Sequence, residues 1–345
     1  MNIYRLLKIV NRIKNPRFQL LGLWGVHVLG KRYIGVFIDP ILGCNYSCQM
    51  CYFSNPDVRR EKRGRMTTEQ LDAVAKSLFK RTLKLQIGCG AEPTLDIEGS
   101  VHLIESGKTY GVPYISLTTN GVLLTKETLS RMAAAGLNEL TISLHGVHKD
   151  TYERLMGPTS KYEAFVELLQ VIKEVKQSYS GLNVRINYTM NADNVDELVD
   201  FDTLFGDFPI NQLQLRPVRE IGDSKYSNFD LSHVSESLDT IIRPLSERCR
   251  QKGITVLFPE QIHIDHFAHT EKGSYRSRLL SGFTYHYISK QSFNQSELKY
   301  GTEDYAQFAH RTHIGRQIWK SIWCSEQQCA IINKGLQNAL NYDIR

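Results

Sequence analysis

The chain lacks any apolar run long enough to form a membrane-spanning helix. Its main early apolar stretch, Phe18 to Leu29, falls short of the roughly 20 residues that a bilayer requires. No small-residue cleavage site follows it, so the start is not typical of a secretory signal peptide. Internal repeats, low-complexity runs and Gly/Ser-rich linkers are also absent. With 41% hydrophobic residues in 345, the composition predicts a globular protein with a substantial core.

Acidic residues are absent from the start of the chain, because no Asp or Glu occurs before Asp39. Apolar residues recur there at helical spacing, and basic residues occupy the positions between them. The apolar residues are Ile3, Leu6, Leu7, Val10 and Ile13, and the basic ones are Arg5, Lys8, Arg12 and Lys14. This pattern predicts a basic amphipathic helix within an amino-terminal segment, residues 1–32. Two roles stay open for the helix: peripheral contact with a membrane surface, and packing across the main domain.

Cysteine usage and charge limit the compartment and the partners. The seven cysteines are an odd number, and three of them lie too close together to form a disulfide framework with one another. This predicts a reducing, cytoplasmic environment. The formal net charge of +6 is mild for this length, so nucleic acid is not expected as a partner. Cys324 and Cys329 are expected to be buried thiols, because a second iron–sulfur cluster needs more ligands than this pair.

The three crowded cysteines are Cys44, Cys48 and Cys51, with three and then two residues between them. Three thiolates on one loop can hold three irons of a four-iron cubane and leave the fourth iron without a protein ligand. An open metal position is typical of catalytic rather than structural sites. The alternative is a structural zinc site, but neither Cys89 nor any histidine lies at zinc-finger spacing to supply a fourth ligand.

Short apolar, β-branched runs alternate with amphipathic stretches of helical length from about residue 33 onwards. The predicted strands are Tyr33 to Asp39, Leu83 to Gly88, Tyr114 to Thr118, Glu139 to Leu144, Asn183 to Met190 and Gln212 to Arg216. Repeated βα units require a parallel sheet with right-handed crossovers. The sequence therefore predicts an α/β core over residues 33–258, built from six βα units as a closed or partly closed barrel.

The pattern weakens after the sixth predicted strand. Leu231 to Gln251 indicates a long helix, and Ile254 to Phe258 a last strand. Beyond it, residues 259–345 are predicted to form an irregular appendage, and their histidines and tyrosines favour a cover over the substrate. Three histidines of this region would lie on different faces of a helix and are not expected to bind metal: His263, His266 and His269.

Small polar groups follow the predicted strands at the end where parallel barrels carry their functional loops. The segments are GCGAEPT at 88–94, TTNG at 118–121 and SLHG at 143–146. Together with the cysteine loop, they give the chain a resemblance to the radical S-adenosylmethionine (radical SAM) superfamily. The GAEP run corresponds to the Gly-Gly-Glu-Pro motif of that family. The resemblance covers roughly residues 33–258.

The resemblance implies a partial (βα)6 barrel in which Cys44, Cys48 and Cys51 hold a [4Fe-4S] cluster. The open iron of the cluster would chelate S-adenosylmethionine (AdoMet), and reductive cleavage would give a 5′-deoxyadenosyl radical that abstracts hydrogen from a substrate. The corresponding cofactor-binding positions are Met50 and Tyr52 near the adenine, Gly90, Ala91 and Glu92 at the methionine amino group, and Asn120 and Ser143 at the carboxylate or ribose. Two departures are Ala91, where a second glycine is usual, and His145, where many relatives have Asp.

Several functional assignments stay open at this stage. Arg185, Asn187 and Arg216 are each read either as ligands of a cofactor or substrate carboxylate or as solvent-capped charges at sheet ends. No catalytic residue is assigned, and the reaction subclass, oxidoreductase or transferase, is not determined. The alternative function is a catalytically silent cluster-binding or redox protein, for which an intact Glu92 motif would be unnecessary.

The partners expected from the resemblance are a reductant and a substrate. The basic run RREKRGR at 59–65 is read either as a docking surface for an acidic flavodoxin or ferredoxin or as a solvated linker. The substrate is expected to be a small molecule or a glycan-linked, lipid-linked or peptide group. The basic amino-terminal helix weakly favours a lipid-linked or surface-bound substrate.

Overall fold

The computed structural model describes residues 13, 15–220, 222–262 and 275–339, with side chains as far as residue 333. The strands are β1 (Ile34–Asp39), β2 (Ile41–Leu42), β3 (Gly64–Arg65), β4 (Thr82–Ile87), β5 (Tyr114–Thr119), β6 (Glu139–Leu144), β7 (Asn183–Met190), β8 (Gln212–Pro217), β9 (Thr255–Leu257) and β10 (Tyr285–Ser289). Eight of them form one all-parallel sheet in the order β10-β1-β4-β5-β6-β7-β8-β9. No pairing joins β9 to β10 within the described chain, so the sheet is an open barrel.

Helices connect the strands and cover the outer face of the sheet. They are α1 (Pro16–Val28), α2 (Pro56–Glu61), α3 (Thr68–Leu78), α4 (Ile97–Thr109), α5 (Lys126–Ala135), α6 (Lys149–Met156), α7 (Tyr162–Ser178), α8 (Phe201–Phe205), α9 (Ser232–Ser237), α10 (Arg243–Gln251), α11 (Tyr275–Thr284), α12 (Lys290–Phe293), α13 (Tyr305–Arg311), α14 (Ile314–Trp323) and α15 (Glu326–Ala339). Thr67 and Thr125 precede α3 and α5, and each threonine forms a capping box with the residue three positions later.

Alternation along the strands separates an apolar outer face from a polar interior. In β7, the even-numbered residues from 184 to 190 are buried against the helices. Arg185 and Thr189 lie on the opposite face, inside the barrel, where Arg185 pairs with Glu139 of β6. The interior therefore offers hydrogen-bonding groups below and around the carboxyl ends of the strands.

The six predicted core strands are confirmed, and the predicted last strand is present as β9. The structure differs in the tail, where β10 pairs in parallel with β1 as an eighth strand of the sheet. The prediction of an irregular appendage missed this strand because its partner lies about 250 residues earlier in the sequence. Pairing at such separation leaves no local periodic signal.

The predicted long helix at 231–251 is also present, with an interruption. A π turn over Leu238–Ile242 separates α9 from α10. Pro244 has no N–H to donate to the preceding turn, which accounts for the widened hydrogen bonding just before it.

Helix α1 packs on the carboxyl-terminal part of the chain. Leu20 of α1 is fully buried, and the rings of Trp24 and Trp319 lie 4.8 Å apart between α1 and α14. Apart from Ile13, the residues of the predicted basic amphipathic helix lie outside the described residues. His263, His266 and His269 also lie outside them. The statements about both regions stay predictions. None of the described helices is long and apolar enough to cross a membrane.

The prediction that Cys324 and Cys329 are separate buried thiols is wrong. The structure joins their sulfur atoms in a disulfide, with the Cα atoms 6.1 Å apart. Cys324 ends α14 and Cys329 lies one turn into α15, which brings both residues within the distance that a disulfide can bridge.

We expect His286 of β10 to make the stability of the protein pH-dependent. The imidazole is buried, its Nε2 has no hydrogen-bond partner among the described residues, and burial lowers its pKa from 6.5 to about 4. Its protonation is therefore favoured in the unfolded chain, and stability is lost as the pH falls from about 6.5 towards 4. Over this range the loss from His286 amounts to about 3 kcal/mol.

Urea unfolding of the wild type and of the His286→Phe variant between about pH 7.5 and pH 4.5 tests this expectation. The wild type should lose more stability than the variant over the interval, by about 2 to 3 kcal/mol. Parallel pH profiles for the two proteins would show that His286 is not the group responsible.

Candidate active site

The loop that carries the three cysteines is closed at its base by a short ladder. Strand β2 precedes Cys44, and β3 follows α2 and pairs with β2 in antiparallel fashion. All three thiols are free. They line one cavity of about 260 Å³ at the carboxyl ends of the parallel strands. The predicted cofactor positions line the same cavity, and these are Met50, Tyr52, Gly90, Ala91, Glu92, Asn120 and Ser143.

The donor set suits a cluster better than a single metal ion. Among the described side chains, no three His, Cys, Asp or Glu residues converge on one point as ligands to a single ion. A zinc ion needs its sulfur ligands about 2.3 Å away on all sides, whereas a cubane binds each thiolate to a different iron. Burial raises the pKa of all three thiols, that of Cys44 to about 12, so binding of a positive metal centre has to displace their protons.

Arg59 holds the cysteine loop from one side. Its guanidinium donates to the carbonyl oxygens of Cys44 at 2.9 Å and of Tyr46 at 3.1 Å. This residue was read from the sequence as part of a docking surface or a solvated linker. The structure gives it a different role, because its charge is directed into the loop and orders the backbone around the first cysteine.

The last turn of α6 and the glycine that follows it hold the loop from the other side. The backbone N–H of Gln49 donates to the carbonyl of Leu155 at 2.9 Å, and Sγ of Cys48 lies 3.9 Å from Sδ of Met156. Gly157 follows with φ +100, and a Cβ there would lie 2.8 Å from the carbonyl oxygen of Ser47. Only glycine permits this close approach of the two backbones.

Glu92 is the most densely hydrogen-bonded side chain of the cavity. Its Oε1 accepts from Thr94 N at 3.0 Å, Thr94 Oγ1 at 2.6 Å and Thr119 Oγ1 at 2.5 Å, and its Oε2 accepts from Asn120 N at 2.8 Å. Burial raises the pKa of this carboxyl, and these hydrogen bonds oppose the rise. Glu92 therefore joins the ends of β4 and β5, and a spare lone pair on Oε2 faces no other described donor.

Asn120 joins the end of β5 to the cysteine loop. Its Nδ2 donates to Asn45 Oδ1 at 2.8 Å and lies 3.9 Å from Sγ of Cys44. Asn120 thus contacts both Glu92 and the residues at the start of the cysteine loop. The predicted ligand residue and the predicted amino-group acceptor belong to one hydrogen-bonded unit.

Asp39 at the end of β1 was not singled out from the sequence. Its Oδ1 accepts from Cys89 N at 2.8 Å, and its Oδ2 accepts from Gly90 N at 3.0 Å and Tyr287 Oη at 2.7 Å. Tyr52 in turn donates to the carbonyl of Gly90. A Cβ at position 90 would lie 2.5 Å from the Tyr52 hydroxyl, so the glycine is required for this contact.

Two further predicted residues have clear surroundings. Met50 is buried, and its Sδ accepts from Nδ2 of Asn191 at 3.0 Å. His145 lines the cavity, its Nδ1 has no hydrogen-bond partner among the described residues, and burial lowers its pKa to about 4. Burial therefore favours the neutral imidazole at physiological pH.

The structure separates the three polar residues predicted on the last strands. Arg185 is neither a ligand-facing residue nor a solvent-capped charge, because it donates to Glu139 and to Gln214, each at 3.1 Å, inside the barrel below the cavity. Asn187 is absent from the cavity lining as well. Arg216 does line the cavity, together with Arg219, which the sequence analysis did not consider.

Other important residues were missed for identifiable reasons. The sequence could have identified Asp39 as a candidate site residue, since it is a carboxylate that ends an apolar strand directly before the cysteine loop. Nothing in the sequence indicated Tyr287, because this residue lies on β10, which was not predicted. The role of Arg59 depends on the loop folding back so that Arg59 reaches the backbone of Cys44. A cluster of basic residues in the sequence does not reveal this contact.

Comparison with known proteins agrees with this geometry. Residues 38–203 match the family model of the radical SAM superfamily. These residues form a radical SAM domain. Two sequence relatives are named "Probable GTP 3′,8-cyclase": one from Saccharolobus solfataricus is 27% identical over 57% of this chain, and one from Sulfurisphaera tokodaii is 25% identical over 59% of it. In both cases the match spans 62% of the relative's own length.

Solved structures share the fold of the radical SAM domain and its surroundings. Streptococcus suis SuiB bound to S-adenosylmethionine superposes with a TM-score of 0.56 at 17% identity, covering 77% of this chain and 60% of SuiB. Native anSMEcpe with bound AdoMet gives 0.51 at 20% identity, covering 65% of this chain and 64% of that protein. At these identities the likeness concerns the fold alone.

We expect Arg59 to determine how firmly the cysteine loop retains an iron–sulfur cluster after reconstitution. The Arg59→Gln variant removes two hydrogen bonds from a charged donor to the loop, each worth about 1.5 to 3 kcal/mol. Loss of iron to a chelator from anaerobically reconstituted protein should accelerate about tenfold or more. Circular dichroism should show the fold retained.

Arg60→Gln is the matched control, because Arg60 is exposed and its described partner is the exposed Asp57 on the same helix. Loss of that surface pair should cost under about 1 kcal/mol and leave iron loss near the wild-type rate. Equal rates for the two variants would contradict the role assigned to Arg59.

Proposed function

We propose that the protein is a radical SAM enzyme that binds one [4Fe-4S] cluster at Cys44, Cys48 and Cys51 and uses AdoMet as a cofactor or cosubstrate. The observation that carries the proposal is the shared cavity, in which three free thiols lie beside the hydrogen-bonded Glu92 carboxylate. A silent cluster scaffold would not require this carboxylate at the open side of the cluster. The alternative of a redox partner protein is therefore not favoured.

The residues of the chain would bind AdoMet and exclude water from the cavity. Glu92 would accept from the methionine amino group through Oε2, with Ser143 and Asn120 towards the carboxylate or ribose and Met50 and Tyr52 towards the adenine. When bound, the cluster and AdoMet would supply one-electron cleavage of the sulfonium and hydrogen abstraction from the substrate. The neutral His145 would hydrogen-bond without adding charge to the site.

For the substrate and the electron donor, we propose only broad chemical classes. The sequence relatives are named for an activity on GTP, and SuiB has also been solved with a precursor peptide, but each relative is matched over less than two thirds of its length. We keep small-molecule, glycan-linked, lipid-linked and peptide substrates open. A flavodoxin or ferredoxin is the expected reductant, and Arg60 and Arg63, which lie beside the cysteine loop, would remain for docking it.

Reductive cleavage of AdoMet tests the function directly. Anaerobically reconstituted wild-type protein with dithionite should release 5′-deoxyadenosine, and AdoMet should alter the electron resonance spectrum of the reduced cluster because it enters the coordination shell of the open iron. Cys48→Ala should abolish both signals with the barrel still folded. An unchanged spectrum and no 5′-deoxyadenosine under any reductant would refute the proposed function.

Cys249→Ala is the control for this variant. Cys249 is a buried free thiol of α10 that does not line the cavity. Its truncation removes a sulfur of similar burial, so 5′-deoxyadenosine release should remain close to that of the wild type. Iron analysis should give about four irons per chain in this control.

A further inference from the structure

Two guanidinium groups at the cavity have no partner among the residues that the structure describes. Arg216 is the last residue but one of β8, and Arg219 follows it by three positions. Both line the cavity that contains the three cysteines, and both side chains are exposed to it. Neither makes a hydrogen bond or an ion pair with a described side chain or backbone carbonyl.

The nearby Arg185 differs from Arg216, because neighbouring side chains neutralise its charge inside the barrel. Arg185 lies deeper on β7, and its guanidinium is held by Glu139 and Gln214. Arg216 receives no such neutralisation. Its partial burial and the charge of Arg219 both lower the pKa of Arg216, which means that its charged form is left without compensation.

The carboxylate that lines the cavity cannot supply the missing charge. Glu92 lies on the loop after β4 and is engaged with four donors from its own and the next strand end. In the sheet order, β5, β6 and β7 lie between β4 and β8. The predicted cofactor positions follow β1, β4, β5 and β6, so the arginines lie on the part of the rim that those positions leave unused.

We infer that Arg216 and Arg219 form an anion subsite that holds a phosphate or carboxylate group of the substrate. The inference rests on the proposed function for the identity of the bound molecule as substrate. Two adjacent guanidinium groups present paired N–H donors, the arrangement that suits phosphate and carboxylate oxygens. An anion bound there would compensate both charges and fix one end of the substrate beside the cluster.

Isothermal titration of reconstituted protein with pyrophosphate and with malonate tests the subsite and separates the two anion classes. Arg216→Gln and Arg219→Gln should each weaken binding of the preferred probe about tenfold or more. Arg216→Lys, which keeps the charge but loses the paired donors, should give a smaller loss. Arg250→Gln is the control, since Arg250 is an exposed residue of α10 away from the cavity, and it should bind like the wild type.

AdoMet affinity measured on the same samples separates this inference from the proposed function. If the arginine variants bind AdoMet more weakly but bind the probe as the wild type does, the two arginines belong to the site of the cofactor carboxylate. This result would overturn the anion subsite. Absence of probe binding to the wild type, or equal binding by all variants, would also overturn it. Normal probe results in a wild type that neither binds nor cleaves AdoMet would support the anion subsite and refute only the radical SAM function.

Discussion

The site depends on one buried carboxylate, that of Asp39. It is fully buried, and it accepts from two backbone N–H groups after β4 and from a hydroxyl on β10. Burying a charged carboxylate costs several kcal/mol, and each hydrogen bond to it returns about 1.5 to 3 kcal/mol. Burial raises the pKa of this carboxyl and the hydrogen bonds oppose the rise, so each donor that is lost leaves the carboxylate less well compensated. Asp39 therefore requires β1, β4 and β10 to end at the same level, and this arrangement sets the position of the glycine turn that precedes Glu92.

The cysteine loop is held by contacts that do not involve the cysteine side chains. The β2–β3 ladder closes its base, Arg59 holds the backbone at Cys44, and the Gly157 region contacts Ser47. A free loop would lose about 1 to 2 kcal/mol of conformational entropy per residue when its cysteines converge on a cluster. Contacts that restrict the backbone of the loop would reduce this loss. The three thiols and Glu92 line the same cavity.

Sequence reasoning recovered the parts of the molecule that have local signals. The bounds of β6 and β7 were predicted without error, because the periodicity that marks a strand is a property of a short segment. Several residues of the cavity wall, Glu92, Asn120 and Ser143 among them, were predicted from motifs at strand ends. By contrast, β10, the Asp39–Tyr287 contact and the role of Arg59 depend on segments that meet only in three dimensions. The pairing of Cys324 with Cys329 was missed because compartment was argued from the crowded cysteines alone.

Charge inside the barrel is arranged in two levels, and the contrast between them bears on how a ligand enters. At the lower level, Arg185 and Glu139 form a buried ion pair, and Tyr114 donates to the same carboxylate at 2.6 Å. A buried pair of this kind is a poor source of stability but a strong barrier to rearrangement, because separating it leaves an uncompensated charge. At the upper level, Arg216 has no described counter-charge. The cation of the lower level is thus already neutralised, whereas the positive charge of Arg216 at the strand ends would still attract a negatively charged molecule.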